Sequence, residues 1–523
     1  MEPATFVRKG CALVGGLALG LAATLAFARP VLGQSVTESN HAVCENGVIV
    51  ARQTSQKRGA EEASGSVPRR SVTAAQVVAA CTAEIESGRY SGADLANIYN
   101  DRGLGYRDGG SPAQAIADYN QALTLDPHSV SALVNRGTAF VDLGEYDRAM
   151  ADVDRGLQLD PKNVMALSNR GLIYMDTQRY ALARADFNRV LALDPRYGKD
   201  YGLRGFAEFM LGDRTRALPD FNRAIAINHR DAFTLGLRGK LYSDEGKYGH
   251  ALADLNRALS LTSSDALTYE WRARVRYALG EYALAVADYG RAIHRSPKML
   301  SAFDGRGYAY LNLGEDTLAL ADFSREIELA PKDIVGYEDR AEYELLQGRD
   351  DAALAAYGKA LQIDPSAGYI YASRGDLYFD RGSYVPAARD LALAIARKDS
   401  SPYAVLWLHL SRMHLHQNDA RELRANTARL KGTQWPIPVA ALFSGKARPA
   451  TTFAAASRAS TGQAKHALCE AHFYVGEWYL GRQEIALAKK HLLIAAKSCP
   501  RTYTEYAGAR AELLRLGVHA SQP

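Results

Sequence analysis

The 523-residue sequence predicts an all-α solenoid built from repeated units, and two observations support this prediction. The first is a period of 34 residues that runs through the middle of the chain. A period of this length indicates a supersecondary unit that buries its apolar face only by stacking on its neighbours. The second is the length of the chain, which exceeds what one hydrophobic core usually serves, so that several domains or a repeat array are expected.

Arginine marks the period most clearly. It recurs without a miss at nine positions: Arg102, Arg136, Arg170, Arg204, Arg238, Arg272, Arg306, Arg340 and Arg374. Glycine follows most of these arginines, as at Gly137, and a second glycine recurs seven residues later, as at Gly144. Only Gln178 breaks the second series. An alanine such as Ala149 and a closing proline such as Pro161 complete the unit.

This pattern resembles the tetratricopeptide-repeat (TPR) family, whose unit is a helix–turn–helix. The resemblance covers residues 96–401 as nine consecutive units and implies a right-handed α-solenoid that binds proteins or peptides. Each recurring residue has a physical reason in such a unit. Gly137 allows two helices to approach closely. Gly144 ends the first helix, where a residue that can adopt positive φ is favoured. The proline prevents the second helix from continuing.

The chain before the repeats divides into three segments. Arg8 and Lys9 precede an apolar run over 11–28, which is typical of a secretory signal peptide over 1–33. The alternative is a retained membrane anchor, for which the run is slightly short. Residues 34–71 lack periodicity and predict a flexible linker, and 72–95 predict an N-terminal capping helix.

The chain after the repeats is less regular. Residues 402–468 predict a connecting region, with a helix pair over 403–417 and 420–431, an extended break at 435–438 and a loose stretch over 447–462. Residues 469–523 predict a degenerate TPR unit and a capping helix. This region resembles the C-terminal part of NlpI-like bacterial TPR proteins through Trp435-Pro436, Cys469-Glu470, Gly476, Cys499-Pro500 and Glu505-Tyr506-Ala507. That resemblance implies a periplasmic adaptor, although the chain lacks their lipid-accepting cysteine.

Four cysteines remain after removal of a signal peptide, and an even number in an exported chain is compatible with two disulfides. Cys469 and Cys499 occupy unit positions 1 and 31, and the start of the first helix lies beside the end of the second in an antiparallel pair. We therefore predict a Cys469–Cys499 disulfide. Cys44 and Cys81 then pair by elimination.

The arginine series has an acidic counterpart. Aspartate lies sixteen residues after eight of the nine arginines, as in Arg136/Asp152, Arg170/Asp186 and Arg204/Asp220, while Arg340 faces Ala356. A buried guanidinium needs a partner, so the two series predict a structural ladder of ion pairs. The alternative is a basic strip for an acidic ligand, which the aspartates would neutralise.

Binding is expected on the concave groove, which TPR proteins line chiefly with unit positions 2, 5, 9, 12 and 13 of the first helix. Position 12 is apolar in seven of nine units: Arg107, Val141, Met175, Phe209, Ser243, Tyr277, Leu311, Leu345 and Phe379. The proposed strip for a peptide or helix is Phe206, Phe209, Met210, Tyr277 and Tyr308. The alternative is that part of this series packs against the next unit.

Several other chemistries find little support in the sequence. Asn135 and Asn169 match one position of a carboxylate clamp, but the flanking basic residues are absent. His409, His414 and His416 lack an accompanying carboxylate or thiolate, so no metal or cofactor is expected. The formal charge of +5 is spread along the chain, which indicates no nucleic-acid partner.

These observations favour a non-catalytic periplasmic or secreted scaffold that binds an envelope protein. The first alternative is an inner-membrane-anchored interaction protein facing the periplasm, which would contact the membrane only through a retained N-terminal segment. The second alternative is an enzyme with its site in 402–523, around His409, His414, His472 or His491. The sequence contains no catalytic motif that supports it.

Overall fold

The computed structural model describes Cys44 and residues 72–397, 401–430, 432, 434–459, 464–500 and 503–518. These residues form 26 helices and no strand, which confirms the all-α prediction. The predicted signal or anchor segment and, apart from Cys44, the predicted linker lie outside the described residues. The chain divides into two compact units after Pro297, which we treat separately as the N-terminal and C-terminal units.

The N-terminal unit contains a capping helix followed by six helix pairs. Its helices are α1 (Ala74–Glu86), α2 (Gly92–Asp108), α3 (Pro112–Leu125), α4 (Val130–Asp142), α5 (Tyr146–Leu159), α6 (Val164–Asp176), α7 (Tyr180–Leu193), α8 (Gly198–Met210), α9 (Arg214–Ile227), α10 (Ala232–Asp244), α11 (Tyr248–Leu261), α12 (Ala266–Ala278) and α13 (Tyr282–Arg295). Consecutive helices pack against each other throughout.

The C-terminal unit continues the pairs and ends in a less regular bundle. Its helices are α14 (Leu300–Leu313), α15 (Asp316–Leu329), α16 (Val335–Leu346), α17 (Asp350–Ile363), α18 (Gly368–Asp380), α19 (Tyr384–Ala396), α20 (Pro402–His414), α21 (Ala420–Thr427), α22 (Ile437–Phe443), α23 (Pro449–Ala456), α24 (Ala464–Leu480), α25 (Ile485–Ser498) and α26 (Thr504–Arg515). The last helix packs on α18, α24 and α25.

The recurring small residues act as the period predicts. A Cβ atom at Gly171 would lie 2.6 Å from Cε1 of Phe187, so the ring fills the space that the glycine leaves between the two helices of its pair. At the turn, Gly144 has φ of 75°. Gln178, which breaks this glycine series, adopts the same left-handed conformation with φ of 59°. The turn geometry is therefore kept where the sequence pattern fails.

Two expectations for the connecting region are wrong. The predicted extended break at 435–438 is a cis Trp435–Pro436 peptide bond, after which α22 begins directly at Ile437. A proline is compatible with the first turn of a helix because the N–H that it lacks has no partner there. The stretch predicted as loose contains α23, and its Thr452 and Ala456 are buried. Alanine is the best helix former, which accounts for a helix in an Ala/Thr-rich segment.

Two disulfides are present at the predicted positions. Cys469 and Cys499 join α24 to the end of α25 with Cα atoms 5.1 Å apart, and Cys44 joins α1 at Cys81 with Cα atoms 5.0 Å apart. All four cysteines are buried. Among the described residues, no helix combines the length and the apolar character that crossing a bilayer requires.

Candidate partner-binding face

The first helices of successive pairs lie side by side in the N-terminal unit. Helix α2 contacts α4, α4 contacts α6, and the series continues through α8, α10 and α12. Together these six helices form a continuous surface, which we call the first-helix face. It carries the unit positions at which the TPR resemblance places the binding groove.

Large apolar side chains are accessible on this face. Met165 is 49% exposed and Phe233 is 41% exposed, and both occupy unit position 2. The predicted residues Phe209, Met210 and Tyr277 are half-buried. The Lys240 ammonium lies 5.9 Å from the centre of the Phe209 ring and 2.5 Å from a carboxylate oxygen of Asp244. The positive charge beside Phe209 is therefore paired with a negative one.

Sequence reasoning did not select Met165 and Phe233, and it placed Phe206 wrongly. Phe206 is only 2% exposed, because it packs between the rings of Tyr180 and Phe233 at centroid distances of 6.3 and 6.1 Å. The ring accessible to a partner is therefore that of Phe233, and Phe206 supports it from below. A search of unit position 2, which was already named as a groove position, would have found both residues.

Tyr308, the remaining predicted groove residue, belongs to the C-terminal unit. Its hydroxyl oxygen lies 2.9 Å from Oδ1 of Asp339 and 2.5 Å from Oε2 of Glu342, which share its one proton. The ring also packs edge-on against Phe323. Tyr308 is therefore tied into the packing of α14 against α15 and α16, unlike Met165 and Phe233.

The arginine and aspartate series meet in ion pairs. Each of seven arginines donates from Nε and Nη2 to both carboxylate oxygens of the aspartate sixteen residues later, as Arg136 does to Asp152 at 2.7 Å for both bonds. The same geometry joins Arg170 to Asp186 and Arg204 to Asp220. Arg340 bonds Glu344 on its own helix at 2.6 Å instead. Because the guanidiniums are neutralised in place, the ladder offers no basic strip to an acidic ligand.

The ladder also connects neighbouring repeats. In five repeats the third arginine nitrogen, Nη1, donates to a side chain on the second helix of the preceding repeat, as Arg136 does to Asn120 and Arg238 does to Asn222, both at 2.7 Å. A further arginine on the second helix, such as Arg189, donates to the turn carbonyl of Pro161 in the preceding repeat at 2.9 Å. These bonds fix the register of one repeat on the next and hold the first-helix face in shape.

A buried carboxylate underlies the same face. Asp200 on α8 is fully buried, accepts a hydrogen bond from Ser168 at 2.8 Å, and leaves its Oδ2 atom without a partner. Burial raises the pKa of Asp200 from 3.8 to about 6, against the opposing effects of Ser168 and of the Lys199 charge. The ionised form is therefore costly in the folded protein.

This cost predicts a pH dependence for Asp200→Asn. Because the folded-state pKa is raised, the cost is absent below pH 3.8, grows towards pH 6 and is complete above it. We expect the variant to gain about 2 kcal/mol relative to the wild type between pH 4 and pH 7. Urea unfolding of both proteins across this range measures the gap, and a gap independent of pH would contradict the argument.

The structure surrounds the histidines of the C-terminal unit with carboxylates that the sequence spacing did not reveal. His414 Nε2 lies 3.0 Å from Oε2 of Glu477 and 3.6 Å from Oε1 of Glu512, and His409 contacts Asp419 at 2.9 Å. One ligand atom each from His414, Glu477 and Glu512 lies within 4.8 Å of the others. The expectation that no carboxylate accompanies these histidines is therefore wrong.

Arg515 contacts Glu512 in the same cluster. Burial lowers the pKa of His414, but the hydrogen bond that His414 makes to Glu477 and the charges of Glu477 and Glu512 together outweigh burial, so that this pKa is raised overall. Burial also raises the pKa of Glu477 to about 7. The cluster has the composition of a structural network that joins α20, α24 and α26.

Comparison with known protein families agrees with this architecture. A family model described as a tetratricopeptide repeat matches residues 100–164, 135–198, 168–233, 237–299 and 272–334, and a model described as a TPR repeat matches residues 344–382. Together these matches cover just over half of the chain. The protein belongs to the tetratricopeptide-repeat family, as the sequence pattern predicted.

Similar solved structures include the following three proteins. PilF of Pseudomonas aeruginosa is 20% identical and matches 40% of this chain and 94% of its own, with a TM-score of 0.37. PilW, a type IV pilus biogenesis factor, is 21% identical over 40% of this chain and 96% of its own, with a TM-score of 0.37. YrrB, a TPR protein with an unusual peptide-binding site, is 21% identical over 35% of this chain and 95% of its own, with a TM-score of 0.30.

Proposed function

We propose that this protein is an exported, non-catalytic scaffold that binds an apolar segment of an envelope protein on the first-helix face. The observation that carries the proposal is the accessibility of Met165 and Phe233 on the face that also carries the half-buried Phe209, Met210 and Tyr277. Repeat proteins use extended surfaces of stacked units for binding. Clustered aromatic and apolar anchors supply most of the binding energy of protein interfaces.

The first-helix face is fixed by contacts within and between repeats, so a partner can bind it without large rearrangement. Phe233 rests on the buried ring of Phe206, and the ladder fixes each repeat on its neighbour. A surface that is already ordered loses little conformational entropy when a partner binds. The paired charges around Phe209 orient a partner without adding an unpaired buried charge.

The test is recovery of cross-linked partners from envelope fractions with a tagged full-length chain. We expect that Met165→Ser combined with Phe233→Ser lowers partner recovery at least about tenfold, since two anchors are lost. Because Phe233 also covers Phe206, the double variant is expected to lose about 1–2 kcal/mol of stability, and its circular dichroism and melting temperature show that it is still folded.

The matched control is Leu182→Ser combined with Leu284→Ser. These leucines are 46% and 49% exposed and lie on the second helices α7 and α13. Their replacement removes similar apolar surface from outside the first-helix face, so recovery is expected to stay at the wild-type level. Equal loss of partner in both double variants would overturn the proposed binding face.

Export is supported by the two disulfides and by the signal-like N-terminal sequence. Disulfides persist in oxidising compartments such as the periplasm and are rare in the cytosol. The intact mass of the protein purified from its native compartment tests this part of the proposal. Loss of residues 1–33 indicates cleavage, and an uncleaved chain in the membrane fraction indicates an anchor. A cytosolic chain with all five thiols free overturns export.

A further inference from the structure

Most repeats carry an aromatic residue at the same position of the unit. Eleven residues into the unit, six of nine repeats carry an aromatic residue: Tyr106, Phe140, Tyr174, Tyr242, Tyr310 and Tyr378. In five of these six repeats the ring lies within about 6 Å of the guanidinium of the ladder arginine. Tyr174 lies 5.8 Å from Arg170, and Tyr242 lies 5.8 Å from Arg238. This is the geometry of a cation–π interaction.

In the second repeat the ring lies between two arginines. The centre of the Phe140 ring is 6.0 Å from the Arg136 guanidinium and 4.0 Å from that of Arg148. Arg148 also pairs with Glu145 at 2.5 Å, which holds it over the ring. The repeat can therefore place one aromatic ring between the arginines at its seventh and nineteenth positions.

The fourth repeat keeps both arginines and lacks the ring. Arg204 and Arg216 are the counterparts of Arg136 and Arg148, and Asp213 pairs with Arg216 at 3.3 Å as Glu145 pairs with Arg148. The position of the ring is taken by Glu208. A cleft of about 400 Å³ opens here, and Arg204, Arg216 and Glu208 are among the residues that line it.

Glu208 lines this cleft, and one of its carboxylate oxygens has no hydrogen-bond partner. The residue is 5% exposed, and its Oε2 atom makes no hydrogen bond. Arg204 uses three of its five N–H groups on Asp220 and Asn188, and neither of the other two reaches Oε2 of Glu208. Burial raises the pKa of Glu208 to about 6.

The eighth repeat shows how the same residue is satisfied elsewhere. Glu344 occupies the equivalent position, and it accepts hydrogen bonds from Arg340 at 2.6 Å and from Arg349. The counterpart of Arg349 in the fourth repeat is Asp213, which cannot donate. A buried acceptor without a donor costs about 1–3 kcal/mol, so the cleft offers a specific hydrogen bond to a ligand that brings one.

We propose that this cleft binds a tyrosine side chain of a partner protein, with its ring between Arg204 and Arg216 and its hydroxyl donating to Glu208. The ring takes the place that Tyr174 and Tyr242 occupy in the neighbouring repeats. The cleft lies on the side of α7 and α9, which are second helices, so it is a contact separate from the first-helix face.

The test uses N-acetyl-tyrosinamide and N-acetyl-phenylalaninamide as probes in saturation-transfer NMR on the full chain. We expect the tyrosine probe to bind about tenfold more tightly, the effect of one hydrogen bond to a charged group. Glu208→Tyr fills the cleft with the residue that neighbouring repeats carry, and it is expected to abolish binding. Its melting temperature is expected to equal or exceed that of the wild type.

Two further variants keep the result interpretable. Arg216→Ala changes a largely exposed side chain and is expected to weaken binding. This variant therefore still tests the cleft if Glu208→Tyr does not fold. Glu344→Gln changes the satisfied carboxylate of the eighth repeat and is expected to leave binding unchanged. Equal affinity for both probes, absence of binding to the wild type, or unchanged binding in Glu208→Tyr or Arg216→Ala would overturn the proposal. None of these outcomes depends on the partner of the first-helix face.

Discussion

Replacement of Asp288 by alanine is expected to lower the free energy of unfolding by about 4 kcal/mol. Asp288 is fully buried and accepts hydrogen bonds from Arg272 at 2.7 Å, from Arg276 at 2.6 Å and from Arg291 at 2.8 Å. Its removal leaves three guanidiniums facing one another without an anion. Urea unfolding followed by circular dichroism measures the loss.

The control for this prediction is an ion pair at the surface. Asp351 pairs with Arg381, and its side chain is 89% exposed. Exposed pairs contribute between 0 and ~1 kcal/mol, because water and salt screen the charges. Asp351→Ala is therefore expected to have a small effect, and an effect as large as that of Asp288→Ala would show that burial does not govern the strength of the ladder.

Removal of the Cys469–Cys499 disulfide is expected to destabilise the C-terminal unit by about 3 kcal/mol. The bond links the two helices α24 and α25 across 30 residues and therefore restricts the unfolded chain. The double variant Cys469→Ala/Cys499→Ala keeps small apolar side chains at both buried positions. Thermal unfolding with and without a reductant measures the loss.

The reductant also provides the control. It is expected to shift the melting transition of the C-terminal unit in the wild type and to leave that of the double variant unchanged. A reductant that shifts both proteins equally would assign the effect to Cys44–Cys81 instead. Loss of stability well below 1 kcal/mol would mean that the unfolded C-terminal unit is already compact without the bond.

The regular part of the fold could be predicted because each repeat meets the same local requirements. Gly171 and Phe187, or Arg136 and Asp152, occupy fixed positions in the unit, and their contacts follow from the geometry of one helix pair. Cys469 and Cys499 were placed by the same reasoning, although their repeat is degenerate. Predictions of this kind depend on spacing within a unit and on little else.

The details that depend on neighbouring repeats could not be predicted in this way. The burial of Phe206 is decided by Phe233 in the next repeat and by Tyr180 in the preceding one. His414 and Glu477 are 63 residues apart, and no period relates them. The helix α22 begins beyond Pro436, where a proline pair in the sequence suggested extended chain.

The bonds between repeats have a consequence for local opening of the chain. A central repeat such as that of α6 and α7 shares arginine bonds with both neighbours, through Arg170 to Asp154 before it and through Arg204 to Asn188 after it. Opening it breaks both sets, while opening the capping helix α1 breaks only the bond from Arg102 to Thr82. Amide protons in the middle of the N-terminal unit should therefore exchange with solvent more slowly than those near its ends. The surface that carries Phe209 and Phe233 then lies in the part of this unit that opens least often.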